Sequence, residues 1–170
     1  MFKKLIFPQF RAIYIAISFL FIILLFNACD KEKFFDQSIS IPNDIWPADK
    51  EMLFKVDVED TISPYRFFIN VRNSTSYRYS NIYFFLSTEF PGGGVSVDTI
   101  ECTLADKNGD WLGKGTGKYR DNRIFIRENI RFPLKGTYFI RLNQAMREEK
   151  LKGISEAGIR LEKQVKNDPR

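Results

Sequence analysis

The stretch Gly109 to Tyr119, "GDWLGKGTGKY", holds four glycines and two lysines in eleven residues. Glycine with lysine is the composition of a phosphate loop, where backbone N–H groups and an ammonium surround an anion. The spacing does not fit. A Walker loop needs four residues between its first Gly and the Gly-Lys pair, then Ser or Thr. Here three residues separate Gly109 from Gly113-Lys114, and three separate Gly113 from Gly117-Lys118; Gly115 and Tyr119 follow. Gly113, Gly115 and Gly117 also lack the final spacing of a dinucleotide fingerprint. No amphipathic helix follows to turn its N-terminus toward a phosphate. A turn fits better. Asn108-Gly109 is a favoured hairpin pair. "ECTLAD" would enter it and "WLGKGTGK" would leave it as a strand. The alternate glycines would lie on one face, open to close approach by a backbone or an aromatic such as Trp111.

Other chemistries are thinly represented. "DKNGD" alternates Asp106, Asn108 and Asp110 like the start of a calcium loop. Trp111 then stands where Gly is expected and Gly117 where Glu is expected, so a polar turn is the preferred reading and no metal is assigned. The chain has no histidine, which removes His-based triads and the commonest zinc and copper ligands. Asp57, Glu59 and Asp60 read as a solvated strand face. Cys102 shares a strand phase with Ile100 and Leu104 and reads as a small buried hydrophobe. No catalytic residue and no cofactor is assigned. Tyr77 and Tyr79 in "STSYRYSNIY", with Trp111 and Lys114, form the candidate partner or ligand surface. Sheet aromatics also fill cores, and that alternative stays open.

The elements that would carry these residues are strands. "LFKVDVED" alternates Phe54, Val56 and Val58 with Lys55, Asp57 and Glu59, the period of a half-buried strand. "RFFINVRNS", "TIECTLAD", "RIFIRENIRF", "TYFIRLN" and "GIRLEKQ" alternate likewise, and "FFDQSISI" adds a possible strand. "NIYFFLS" is apolar on both faces, as suits a central strand. One short helix is predicted over "QAMREEKLKG", residues 144–153, with Gly153 as its C-cap. About eight short strands with little helix predict an all-β fold, a single antiparallel β-sandwich of jelly-roll or immunoglobulin type. A closed barrel is the second choice.

The N-terminus sets the compartment. Lys3, Lys4 and Arg11 precede an uncharged apolar run from Ala12 to Phe26, a secretory signal pattern. The run ends in "LLFNACDKEK". A small residue directly before a cysteine marks a bacterial lipoprotein processing site, with Ala28 before the cut and Cys29 as the lipid attachment residue. The predicted organisation is a signal peptide over 1–28, a lipidated tether over 29–33, a sandwich over 34–165 and a polar tail over 166–170. Removing Lys3, Lys4 and Arg11 lowers 26 bases to 23 against 21 acids, from +5 to +2. Nucleic-acid binding needs a basic patch, and a nearly neutral mature chain gives no support for one.

Several segments then stand together: "IPNDIW", "FFINVRNSTSYRYSNIYFFL", "DTIECTLADKNGDWLGKGTGKY", "FPLKGTYFIRLNQAMREEKLKGISEAGIRLEK" and the leader. In this order the chain resembles the gliding motility lipoprotein H (GldH) family of the Bacteroidetes, over roughly residues 34–163. The resemblance implies an envelope lipoprotein associated with the machinery that moves surface adhesins, which overlaps with type IX secretion. It implies no enzymatic activity and no cofactor. Its implied partners are the membrane, through the lipid on Cys29, and envelope motility or secretion proteins. The family pattern Trp-Leu-Gly-Lys-Gly matches Trp111 to Gly115 with no assigned role. The alternative from the residues is a lipid-anchored carbohydrate- or peptidoglycan-binding module.

Overall fold

The computed structural model describes residues 32–164. The predicted signal peptide, Cys29 and the predicted polar tail lie outside the described residues. Ten strands follow in order: β1 (Lys33–Ser40), β2 (Ile45–Pro47), β3 (Met52–Val58), β4 (Tyr65–Ser74), β5 (Asn81–Glu89), β6 (Val95–Thr103), β7 (Tyr119–Ile130), β8 (Gly136–Gln144), β9 (Lys150–Lys152) and β10 (Ile154–Lys163). The only helical turn among the described residues is a 3-10 turn at Pro42–Asp44.

Two four-stranded antiparallel sheets form, in the orders β1-β10-β4-β7 and β3-β8-β5-β6. Set aside β2 and β9, and the first main strand pairs with the last, the second with the seventh, the third with the sixth and the fourth with the fifth. That nesting is a jelly roll. It selects one of the two sandwich types that the alternation left open. β2 and β9 pair with each other as a separate two-stranded sheet.

Period two holds where it was clearest. β3 buries Met52, Phe54, Val56 and Val58 and exposes the residues between them. β8 buries Tyr138, Ile140 and Leu142, and β4 buries Phe67, Ile69 and Val71. β5 is central, as its apolar composition implies, but Phe85 stays 50% exposed on the outer face. An aromatic chain closes one end of the core: Phe34 to Tyr65 at 4.9 Å, Tyr65 to Phe132 at 5.3 Å, Phe132 to Tyr138 at 4.8 Å. Each tilted or edge-on pair adds roughly 0.5–1.5 kcal/mol beyond the area it buries.

Two expectations fail. No helix covers residues 144–153: Gln144 ends β8, a turn follows, and Lys150–Lys152 is β9. Gln144 shapes the turn, its Nε2 donating to the Glu148 carbonyl and its Oε1 accepting from the Met146 N–H, at 2.8 Å each. Gly153 is not a helix cap but the hinge between β9 and β10. The glycine stretch is not a regular strand either. It touches the sheets through isolated bridges, Ala105 with Trp111 and Lys114 with Asp121.

Cys102 lies in the core, fully buried. Burial, aided by the nearby Glu101 charge, pushes its thiol up to about 12. A protonated buried thiol is inert. In a Cys29→Ser chain, maleimide should therefore leave Cys102 unmodified in native buffer and label it on unfolding in urea. Native labelling on the timescale of a free thiol would show that β6 opens locally.

Candidate functional site

The glycine segment runs from the end of β6 to the start of β7, from one sheet to the other. Its turn is built by Asp106, whose Oδ1 accepts the N–H groups of Asn108 at 2.8 Å and Asp110 at 2.9 Å. The carboxylate that would have opened a calcium loop is thus engaged by its own backbone. No group of three or more metal-ligating side chains exists among the described residues. The Leu112 N–H donates to the Leu104 carbonyl at 2.9 Å, and Lys114 and Asp121 exchange both backbone bonds. Trp111 packs against the core, half-buried.

Gly113 explains its own identity. A Cβ there would meet the Asn122 amide at 2.7 Å. Asn122 is buried and donates to the Val71 carbonyl at 3.1 Å and to Asn73 Oδ1 at 2.8 Å. The segment lies directly on this buried amide pair, so no side chain fits between. The glycines serve chain path and close packing.

At the end of the segment, Lys118 and Tyr119 meet Asp44. Lys118 Nζ donates to Asp44 Oδ2 at 3.0 Å, and Tyr119 Oη donates to the same oxygen at 2.9 Å. The Arg72 guanidinium sits 5.1 Å from the Tyr119 ring centroid and the Lys118 ammonium 4.7 Å. Asn43 and Asp44 both hold positive φ, 58° and 56°, a left-handed geometry that Asn and Asp tolerate best among residues with a Cβ. The Asp44 carbonyl accepts the Gly153 N–H at 2.7 Å, and the Lys118 carbonyl accepts the Thr75 N–H at 2.7 Å. Four loops are stitched together at one end of the sandwich. A groove of about 750 Å³ borders the glycine segment, with Arg72, Lys114, Asp121, Arg123 and Glu156 among its lining residues. Arg72 pairs within it to Asp121 at 3.6 Å and Glu156 at 3.9 Å.

Burial opposes ionisation of Asp44, but the hydrogen bonds from Lys118 and Tyr119 outweigh it and hold its carboxyl below the ordinary carboxylate range. A folded pKa below the unfolded one means ionised Asp44 stabilises the fold above the unfolded value, and that contribution is lost as pH falls through the folded pKa. Asp44→Asn keeps the left-handed backbone and removes the charge. It should cost about 1 kcal/mol at neutral pH, with the gap to wild type closing in acid as pH falls through the lowered folded pKa of Asp44. Urea midpoints at neutral and acid pH check it; a gap independent of pH would contradict the ion pair.

The structure scatters the four predicted surface residues. Tyr77 lies in the core, with its Oη donating to the Asn81 carbonyl at 3.0 Å. Tyr79 packs edge-on against it at 5.6 Å and donates to Glu148 at 2.5 Å. Trp111 covers core on the glycine segment. Lys114 alone is exposed, on the groove. Sequence reasoning missed Asp44, Lys118, Tyr119 and Arg72 as a unit. The available signal was Asn43-Asp44, two residues tolerant of positive φ, in a quoted stretch without helix or strand period.

The family model for the GldH lipoprotein matches residues 33–161. The chain is 36% identical over 160 residues to a gliding motility lipoprotein GldH homolog of Christiangramia forsetii, covering 90% of this chain and 98% of that protein. It is 33% identical over 147 residues to the gliding motility lipoprotein GldH of Flavobacterium johnsoniae, covering 82% and 90%. The match spans both sheets, the 3-10 turn that carries Asp44 and the glycine segment that carries Lys118, and on that extent the chain belongs to the GldH lipoprotein family.

Proposed function

We propose that this chain is a lipid-anchored, non-catalytic envelope protein that supports the gliding or type IX secretion machinery through protein–protein contacts. The observation that carries the reading is the extent of the family match, residues 33–161, which takes in nearly the whole folded domain. The relatives so matched are named gliding motility lipoproteins. Cys29 is the attachment point for diacylglycerol. The absence of histidine and the burial of Cys102 favour a binding role over catalysis. The glycan-binding alternative needs an open aromatic face, and Tyr77 in the core with Tyr79 held by Glu148 weakens it. A jelly roll by itself argues for no particular ligand.

The test is crosslinking and pull-down of the full-length lipoprotein from native membranes, with Cys29→Ser as control. Motility or secretion components should be recovered, and be lost or redistributed in the control. Recovery of the protein alone, with glycan-array binding abolished by Trp111→Ala in a folded protein, would replace this reading.

A further inference from the structure

The edge strands of the two sheets face each other on two sides of the jelly roll, β1 with β3 on one and β6 with β7 on the other. The chain covers the second of these sides unevenly. Over Cys102 to Ala105 and Asn122 to Ile124, the glycine segment lies across the opening through Trp111, Leu112, Gly113 and Lys114. Over Val95 to Ile100 and Ile126 to Ile130, no such cover exists among the described residues. An open cleft of about 280 Å³ enters the core there, floored by Leu86, Ile126, Phe132, Tyr138 and Ile140.

The edge beside this cleft differs from the other three. β1 has a register shift between Lys33 and Phe35 and contacts β3. β3 carries Lys55 and Asp57, bridged at 3.8 Å. β7 is twice shifted in register, has Asn129 at φ 58°, and is bonded by Lys114 at its start. β6 pairs with β5 in unbroken register from Thr103 to Val95. Over Val95–Thr99 it has no bulge, no proline and no lysine, devices that guard an edge; its charges are the inward Asp98 and, beyond that stretch, Glu101, which accepts from Asn81 at 2.6 Å. On its outer face Val97 is 66% exposed and Val95 61% exposed, and Phe85 of β5, opposite Thr99, lies diagonal to Val97. A strand added to β6 would therefore find apolar surface on both faces, the valines and Phe85 outside and the cleft inside.

Charge narrows the occupant. Arg127 and Arg131 are exposed at the cleft on the β7 side. Asp98 of β6 lines the same cleft, yet neither arginine is ion-paired to it or to any other acid among the described residues, so the cleft keeps an excess of positive charge. We infer that the Val95–Thr99 edge of β6 receives an extended segment of a partner protein, with aliphatic residues at alternate positions and an acidic residue facing Arg127 and Arg131. This is strand addition, in which backbone bonds supply affinity and alternate side-chain pockets supply specificity. The inference rests on the proposed protein-contact role and names the surface that serves it.

The experiment is hydrogen exchange on the full-length lipoprotein in detergent micelles. The probe is an eight-residue peptide alternating valine and serine with one central glutamate. Saturating peptide should slow exchange at Val95 to Thr99 by about tenfold or more. Val97→Lys, a substitution at an exposed position, should abolish that protection without shifting the melting temperature. Exchanging the peptide's glutamate for lysine should weaken binding roughly two- to fivefold. No protection on β6, or protection untouched by Val97→Lys, overturns the assignment. So does protection that appears without peptide as protein concentration rises, because the occupant is then a second copy. If the peptide fails while the pull-down recovers motility components, the edge assignment falls and the proposed function stands. Peptide binding with an empty pull-down leaves the edge and removes the motility role.

Discussion

Trp46→Ala is expected to lower folding free energy by about 3–5 kcal/mol, the range for truncating a buried aromatic. Trp46 is fully buried. It belongs to β2, which pairs only with β9, through three register pairs. This small flap is not hydrogen-bonded into either large sheet, so side chains must hold it. Its two buried side chains are Leu151 and Trp46. The Trp46 ring lies 5.9 Å from Phe84, its register partner Leu151 is fully buried, and its Nε1 donates to the Lys50 carbonyl at 2.7 Å. Truncation opens a cavity, returns the Lys50 carbonyl to water and frees the adjoining Asn43-Asp44 turn. Against a typical domain stability of about 5–15 kcal/mol, that is a large fraction.

Trp46→Phe separates the parts. It keeps most of the apolar contact and loses one N–H bond, so it should cost roughly 1 kcal/mol for the bond and somewhat more for the lost ring volume. Urea unfolding reads both variants, and the milder one remains measurable if the Ala variant does not fold. The flap also predicts a coupling. If Trp46 fixes the Asp44 turn, the acid-dependent cost of Asp44→Asn should shrink in the Trp46→Phe background. A Trp46→Ala cost under about 1.5 kcal/mol would mean that the flap frays independently of the core.

The sheets were legible because half-buried strands write their burial in alternate residues. Phe54, Val56 and Val58 could be placed from that period alone, and so could Tyr138, Ile140 and Leu142. The three-residue strands were not legible. Lys150–Lys152 exposes both lysines and buries only Leu151, and one apolar residue between charges carries no period. In isolation the same stretch looks like a polar helix, and Gly153 like its cap. Tertiary pairing with Ile45–Pro47 decides otherwise. The glycine segment was half legible. Its failure as a phosphate loop is a matter of counting, and the turn at Asn108-Gly109 follows from residue type. Its path across the open side depends on Asn122, an interior amide that no local pattern announces. The Asp44 cluster joins Asp44 to Lys118, 74 positions apart, and was invisible for the same reason.

Arg160 is the strongest case against reading alternation as burial, and it carries the second large prediction. In "GIRLEKQ", Arg160 and Glu162 stand opposite Ile159 and Leu161, which places them outward. They do lie on the outer face of the β1-β10-β4-β7 sheet, yet Arg160 is 3% exposed and Glu162 8%. Neighbouring charges cover them. Arg160 Nη1 donates to Asp36 of β1 at 2.6 Å and its Nε to Glu162 at 2.7 Å. Arg66 of β4 reaches Glu162 at 3.1 Å, and Arg123 of β7 reaches Asp36 at 3.8 Å and Glu162 at 3.9 Å. All four strands of the sheet meet in one ion network. Removing one partner of a buried pair costs about 3–5 kcal/mol, chiefly because charge is left uncompensated. Arg160→Ala should fall near the lower end, about 3 kcal/mol, because Asp36 and Arg123 are partly exposed and water screens what remains. The sign of the cause is testable. Arg160→Met combined with Asp36→Asn and Glu162→Gln removes the three least exposed charges together and leaves Arg66 to Glu32 and the half-exposed Arg123 to water, so it should recover most of the loss. Added salt should change the wild-type stability little, since Arg160 is shielded, while exposed pairs such as Lys163 with Asp60 weaken within a Debye length of about 3 Å at 1 M. If the neutral set is no more stable than Arg160→Ala, packing of the guanidinium stem, not charge balance, holds this face.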